Sequence, residues 1–419
     1  MHAMTTTSID TRGKPRTEQP DSRRHDTGFW LVTVAFCAAV ALAMVPTPLY
    51  PLYAQQLGLS PLTITVVFAV YGTGVIVSLC TVGHVSDWIG RRQVLTLAMS
   101  AEVLAALIFI LPPQLPLLIA GRLITGLGVG AITATATAYL HELHVLARPR
   151  DSARRFEIAS PAANIGGLGV GALVSGALAQ WAPWPLRTTY VVFVVLLVLL
   201  IAALIRFVPE TVSVPRSLRP AYRPQRVSVV GSRLGWTVAV LSIFGAFAAF
   251  SLFASLTPAF LAGTLGQPSR LLAGGVVFLV FGSAPVAQHA AMALTVSARL
   301  LSGLLGALAG LALLVAAMLL GNLPLFLVAG VVTGAGAGVL IQSAVARTVR
   351  TAAPANRGAA VAGLFLIGNA GLVFPAIGMG IATQFVDTRV AMAGFAGVLV
   401  ALLCGVVVGA RRMRGIEGH

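Results

Sequence analysis

One carboxyl and one guanidinium stand where the sequence offers no water. Glu102 is embedded in the apolar run 93–112, and Arg122 in the apolar run 117–140. An ionised carboxylate among such residues is costly, so Glu102 is expected to be protonated or paired. A protonated acid in this setting can load and release a proton, which is coupling chemistry. A pair with Arg122 would instead be structural. The link between the two runs, Pro112 to Pro116, is short enough to make them antiparallel neighbours. The pair is then within reach, although the two depths differ by roughly 8 Å.

A second charged group lies outside the apolar runs. Gly83, Asp87, Gly90, Arg91 and Arg92 fall within thirteen residues, Gly83 to Leu95. The glycines permit a tight turn, and the arginine pair would hold that turn on the cytoplasmic side of a membrane. Weaker polar candidates are Tyr50, Tyr53, Tyr71, Asn164, Gln342 and Asn369. Each could line a cavity, anchor an interface or bond between helices. His141, Glu142 and His144 have the look of a metal cluster, but no further ligands converge, so they read as a solvated helix end with no metal. Cys37, Cys80 and Cys404 lack metal or redox spacing and read as small apolar residues. No nucleotide-binding loop, nucleophile triad or cofactor motif is present, which disfavours an enzyme and an ATP-driven machine.

The elements that position these residues follow from composition. The chain is 57% hydrophobic and 10% charged, with a mean hydropathy of +0.92. Soluble domains carry roughly 25% charged residues. At about 20 residues per crossing, twelve spans are expected at 29–50, 62–82, 93–112, 117–140, 158–180, 188–208, 235–257, 271–292, 299–320, 323–346, 358–383 and 388–410. The apolar runs are continuous rather than alternating, so the fold class is an all-α membrane protein. The first run follows a mixed-charge tail, lacks a clear cleavage site and is read as retained.

The net charge of +16 is a topology signal rather than a nucleic-acid signal. With the N-terminus inside, 24 of the 28 Lys and Arg residues fall on cytoplasmic segments, placing both termini in the cytoplasm of a cell-membrane protein. The expected divisions are a tail at 1–28, a six-helix bundle at 29–208, a cytoplasmic linker at 209–234, a second bundle at 235–410 and a tail at 411–419.

The bundles read as copies. Thr47-Pro48-Leu49-Tyr50 returns as Thr257-Pro258-Ala259-Phe260, and Leu57-Gly58 as Leu265-Gly266. Thr125-Gly126-Leu127-Gly128-Val129-Gly130 returns 208 residues on as Thr333-Gly334-Ala335-Gly336-Ala337-Gly338, and Asn164-Ile165-Gly166 as Asn369-Ala370-Gly371. An even number of spans per copy makes the halves parallel. Gly126, Gly128 and Gly130, with Gly167, Gly171 and Gly176, would let helices approach closely and slide.

The segment Gly83-His84-Val85-Ser86-Asp87-Trp88-Ile89-Gly90-Arg91-Arg92-Gln93-Val94-Leu95 resembles the loop between helices 2 and 3 of the major facilitator superfamily, G-x-L-A-D-R-x-G-R-R/K-x-x-L. Trp88 stands where that family usually has a basic residue. Gly121-Arg122-Leu123-Ile124-Thr125-Gly126-Leu127-Gly128 resembles its helix-4 motif, and Asn164 to Leu178 its helix-5 antiporter motif, with Ala172 in place of proline. Pro209-Glu210-Thr211 at the end of the sixth span is also common in that family. The resemblance implies a secondary transporter that works by alternating access, with a small-molecule substrate, a proton as coupling ion and the lipid bilayer as surroundings, acting as a monomer without cofactor or nucleic acid. Export of a small hydrophobic drug or metabolite is the leading expectation. Uptake or facilitated transport of a small polar solute such as a sugar or organic acid, or a non-transporting membrane scaffold or receptor, are the alternatives. The resemblance also places Asp87 at the cytoplasmic contact of the halves, near the start of the eleventh span around Gly358.

Overall fold

The structure, a computed structural model, describes residues 22–212, 214, 215, 217, 219, 222, 229, 231–263, 265–353 and 357–417, with side chains for all of these except Leu256 and 413–417. Most of the expected N-terminal tail, much of the 209–234 linker and the end of the C-terminal tail lie outside the described residues.

Among the described residues, twelve helical spans run in sequence: α1 Ser22–Leu57, α2 Pro61–Thr81, α3 Arg91–Ile110, α4 Leu115–Ala147, α5 Arg154–Trp181 and α6 Pro185–Phe207 in the first half. The second half holds α7 Arg233–Gly263, α8 Arg270–Ala293, α9 Val296–Leu320, α10 Leu323–Thr351, α11 Arg357–Ala382 and α12 Thr388–Arg412. Their length and apolar composition suit them to crossing a bilayer. Twelve spans bring Ser22 and Arg412 to one face, called here the termini face. Helix starts carry local signals. Ser60 accepts from Thr63 N–H ahead of Pro61, Ser269 accepts from Leu272 N–H, and Asn322 accepts from Leu325 N–H.

The expected spans match in number and order, while several of their ends shift. Helix α1 begins at Ser22 rather than 29 because Asp26 is tied down by Arg155 (2.6 Å) and Arg148 (3.3 Å). Helix α4 continues past residue 140 to Ala147, carrying Glu142 and His144 into contacts. The first span is also not one helix. It is α-helical to Leu42, turns through Ala43–Pro46, tightens to a 3-10 turn at Thr47–Leu49 and resumes at Tyr50. Pro46, Pro48 and Pro51 withdraw three backbone donors within six residues.

The repeat is built into the packing. Within the first half, a Cβ at Gly126 would collide with Tyr71 O and the Gly74 backbone of α2, one at Gly128 with Glu102 of α3, and one at Gly130 with Ser78 of α2. In the second half Gly334 meets Val280 of α8, Gly336 meets Gly306 and Ala307 of α9, and Gly338 meets Ala284 of α8. The two glycine rows therefore face equivalent neighbours in the same order. Gly58 and Gly266, paired in the sequence repeat, both adopt left-handed backbone at φ 63° and 60°.

The halves meet away from the termini face. A Cβ at Gly380 of α11 would strike Thr65 of α2, and one at Gly72 would strike Val373. Gly176 of α5 lies against Arg270 and Gly274 of α8. Arg270 closes this contact reciprocally: its guanidinium donates to Ala179 O at the C-terminal end of α5 (2.9 Å), while its own N–H donates to the Gln180 side chain (3.1 Å). Each helix end caps the other across the halves, cation to carbonyl and amide to N-terminus. Arg270→Ala is expected to remove about 1.5 kcal/mol from this closed arrangement, close to a tenfold shift toward opening. Spin labels at the exposed positions Trp181 and Phe385 should report a growing long-distance population. An unchanged distance distribution would show that the Arg270 contacts do not hold the face shut.

Candidate functional site

Two charged sites occupy the first half, one at the termini face and one within the bundle. At the termini face, Gly90 takes φ 127° and ψ 140°, a conformation open only to glycine, as the residue before α3. A Cβ there would also lie 2.7 Å from Glu210 Oε2. With the side chain absent, the Glu210 carboxylate seats on the α3 N-terminus and accepts from the backbone N–H of Arg91 (2.7 Å) and Arg92 (3.1 Å). A carboxylate there answers both the orphan donors and the helix dipole.

The two arginines then divide the work. Arg91 is buried and donates to Ser86 Oγ (2.7 Å), Asp87 Oδ1 (2.5 Å) and Glu142 Oε1 (2.9 Å). Glu142 Oε2 accepts from the Thr211 hydroxyl (2.5 Å), and the Tyr139 hydroxyl donates to Pro209 O (2.5 Å). Arg92 instead reaches the end of α6, donating to Val208 O (3.1 Å) and Ile205 O (3.4 Å). The loop is thus a clamp that joins α3, α4 and the end of α6 within one half. Glu142 belongs to this clamp, which corrects its expected place in a solvated helix end. His144 is also buried, with Nε2 3.1 Å from Ser152 O. Glu142 and Glu210 gained no role from sequence. The signal that points to Glu210 is the glycine before a helix start, which leaves room for a carboxylate.

Asp87 does not meet α11. Its side chain is 57% exposed beside Arg91, and a Cβ on Gly358 would touch nothing within 4 Å. The expected contact is absent among the described residues because the halves close at the opposite face.

Inside the bundle, Glu102 and Arg122 are buried at 0% and 1% exposure. They form no ion pair among the described residues, contrary to the pairing the sequence allowed. The Glu102 carboxyl fits against α4 at Gly128, where a Cβ would sit 3.1 Å from its Cδ, and neither oxygen has a hydrogen-bond partner among the described residues. Arg122 lies six residues away along α4, about 9 Å. It donates to Ala43 O (2.6 Å) and Val67 O (3.4 Å), and lies over the rings of Tyr71 (4.8 Å) and Phe68 (5.7 Å). Its partner is the break in α1. Ser175 supplies the other half of the repair, donating to Val45 O (2.6 Å), and Gly171 admits Ala41 O at close range. Tyr53 donates to Tyr190 (3.2 Å) beside this cluster.

The remaining candidates separate. Asn164 lies half-buried on a π-helical turn, Ala162–Gly166, that follows Pro161 within α5. Gly167 packs on Cys37 O of α1, and Gly166 faces Pro285 of α8 across the halves. Asn369 is buried and donates to Phe365 O within its own helix (2.9 Å). Gln342 donates to Gln288 O (3.1 Å).

Twelve apolar helices in two equivalent halves, a charged clamp after α2 and an arginine buried in α4 define a polytopic carrier architecture. The family model of the Major Facilitator Superfamily matches residues 31–296, and the chain belongs to that family. Such proteins are carriers rather than enzymes. Among solved structures, the fold is shared with the human organic anion transporter MFSD10 (TETRAN), at a TM-score of 0.65 and 17% identity, covering 93% of this chain and all of that one. It is shared with a mutant of the nucleoside transporter NupG, at 0.69 and 13% identity, covering 92% and 99%. An MFS-type transporter of Aspergillus terreus is 24% identical over 159 residues, 37% of this chain and 28% of that protein. Polyol transporter 5 of Arabidopsis thaliana is 39% identical over 64 residues, 15% and 12% respectively. The aligned segments thus span less than a third of either of those relatives.

The clamp geometry orders the effects of substitution. Arg91→Ala strips Glu142 of its cation and Ser86 of its donor, and is expected to cost about 2 kcal/mol. Arg92→Ala removes two surface carbonyl contacts and should cost well under ~1 kcal/mol. Melting of the purified variants by tryptophan fluorescence checks this order, and equal losses would contradict it.

Proposed function

We propose that the protein exports a small hydrophobic compound, a drug or metabolite, by proton-coupled alternating access. The observation that carries this reading is Glu102: fully buried, with both carboxyl oxygens without a hydrogen-bond partner among the described residues, while Arg122 Nη1 and Nε donate to Ala43 O and Val67 O instead. An ionised carboxylate without donor or counter-ion is poorly tolerated inside a membrane protein. The neutral acid fits the pocket against Gly128, and a state that offered it water or a cation would release the proton. Cycling between such states couples a proton to the motion of the halves. Few charged groups within the spans favour a hydrophobic cargo.

In this reading the termini face is cytoplasmic, the protein resides in the cell membrane as a monomer, and 209–234 links bundles at 29–208 and 235–410. Asp87, Arg91 and Arg92, with Gly83 and Gly90, form the inner gate in the state that closes it. Gly126, Gly128, Gly130, Gly167, Gly171 and Gly176 are sliding contacts, while Asn164 and Asn369 contribute polar surface near the path.

The polyol and nucleoside transporters among the similar proteins favour a second reading, uptake of a polar solute. Survival of a sensitised bacterial strain expressing the protein, scored on a panel of toxic apolar compounds and on growth with polyols or nucleosides, separates the two. For coupling, Glu102→Gln mimics the protonated acid without releasing a proton. It is expected to melt close to the parent, to keep substrate exchange in liposomes, and to lose accumulation driven by a proton gradient. A variant that still concentrates substrate against its gradient removes Glu102 from the mechanism.

A further inference from the structure

A cavity of about 650 Å³ opens at the termini face between the start of α1 and the start of α5. It is separate from the Glu102 pocket and from the clamp. One side is apolar, with Trp30 and Ile158 at 52% and 38% exposure. The other is basic. Arg154 lines it from an exposed position and shows no ion pair among the described residues. Arg155 is held flat at its floor, 3.9 Å from the Phe29 ring centroid and 5.0 Å from that of Trp30. Its Nη1 donates to Asp26 (2.6 Å), whereas its Nη2 is buried and has no partner among the described residues. His144 forms part of the same wall at 3% exposure. Its Nε2–H is spent on Ser152 O, which leaves Nδ1 without a partner.

Charge accounting favours an anion. The cavity lining sets Arg154 and Arg155 against one carboxylate, Asp151, which already accepts from Arg148, and the neighbouring Asp26 accepts from both Arg148 and Arg155. A wholly apolar ligand would leave the exposed Arg154 unpaired, and a small inorganic anion would leave Trp30 and Ile158 uncovered. The ligand that satisfies every wall carries an anionic group at one end and an apolar body at the other.

We propose that this cavity binds an amphiphilic organic anion, with its charged group on Arg154, in the field of Arg155, and its apolar body on Trp30 and Ile158. Two sources share this chemistry: a soluble aryl or alkyl acid, and an anionic lipid of the adjacent leaflet. The site stands independently of proton coupling, since none of its residues touches Glu102 or Arg122.

The test uses the full chain in phosphatidylcholine nanodiscs and the anionic fluorophore dansylglycine, with neutral dansylamide as control and tryptophan-sensitised dansyl emission as readout. Dansylglycine should bind at least tenfold more tightly than dansylamide. Arg154→Gln, which alters an exposed residue outside the fold's packing, should weaken dansylglycine about tenfold and leave dansylamide unchanged. Trp30→Ala should weaken dansylglycine further and reduce the sensitised signal. Repeating the titration in discs containing phosphatidylglycerol distinguishes the sources: loss of dansylglycine binding identifies lipid as the occupant, and retention identifies a soluble anion. Equal affinity for the two fluorophores, no binding of either, or no effect of Arg154→Gln on dansylglycine would overturn the proposal.

Discussion

Tight backbone bonds carry α1 through its break, from Ala43, Met44, Val45, Thr47 and Leu49, but Pro46 and Pro48 leave Ala43 O and Val45 O without backbone donors, and lipid offers none in their place. Much of the first half is arranged around that deficit. Arg122 reaches from α4 to Ala43 O, Ser175 from α5 to Val45 O, and Gly171 lets α5 close on Ala41 O. A buried guanidinium is itself a liability, met here by the freed carbonyl at Nη1 and by the Tyr71 and Phe68 rings, while Nη2 has no hydrogen-bond partner among the described residues. The break and the arginine answer each other. Removing either would leave polar groups stranded in an apolar interior.

The same repair leaves Glu102 without a counter-ion. Arg122 is turned toward α1, and six residues of α4 separate it from the level of Gly128. The repeat shows how one-sided this arrangement is. Counting on 208 residues, the positions corresponding to Glu102 and Arg122 are Gly310 and Gly330. Gly310 packs directly on Thr333, and α7 runs as one helix with Pro258 inside it. The second half therefore has neither the break, nor the arginine that mends it, nor the carboxyl beside it. One half carries the charge and the other offers its packing counterpart.

Closure of the halves follows from where backbone can meet backbone. Gly72 and Gly380 admit α2 to α11, Gly176 and Gly274 admit α5 to α8, and Arg270 with Gln180 fastens the ends of the latter pair. At the termini face the clamp instead turns inward on its own half, with Glu210 seated on the α3 N-terminus and Arg91 bridging to Glu142. Such a clamp makes the first half rigid where it would have to move as a unit against the second.

The sequence alone determined the twelve spans, their order and the two-fold repeat, because about twenty apolar residues in a row admit one solution in lipid and a glycine row marks close approach wherever it falls. It also marked Asp87, Arg91, Glu102 and Arg122 as charges that need partners. The partners themselves were decided by tertiary structure. Whether Arg122 answers Glu102 or the α1 break depends on which face of α4 each side chain occupies and on where α1 runs beside it. Spacing along the chain does not encode that. Glu210 and Glu142 were hidden for the same reason: Glu210 lies 119 residues beyond Arg91, and Glu142 shares the end of α4 with two histidines that suggest solvent. Only the folded chain brings a helix start and two distant carboxylates to one point, where unsatisfied donors and desolvated charge leave little choice of neighbour.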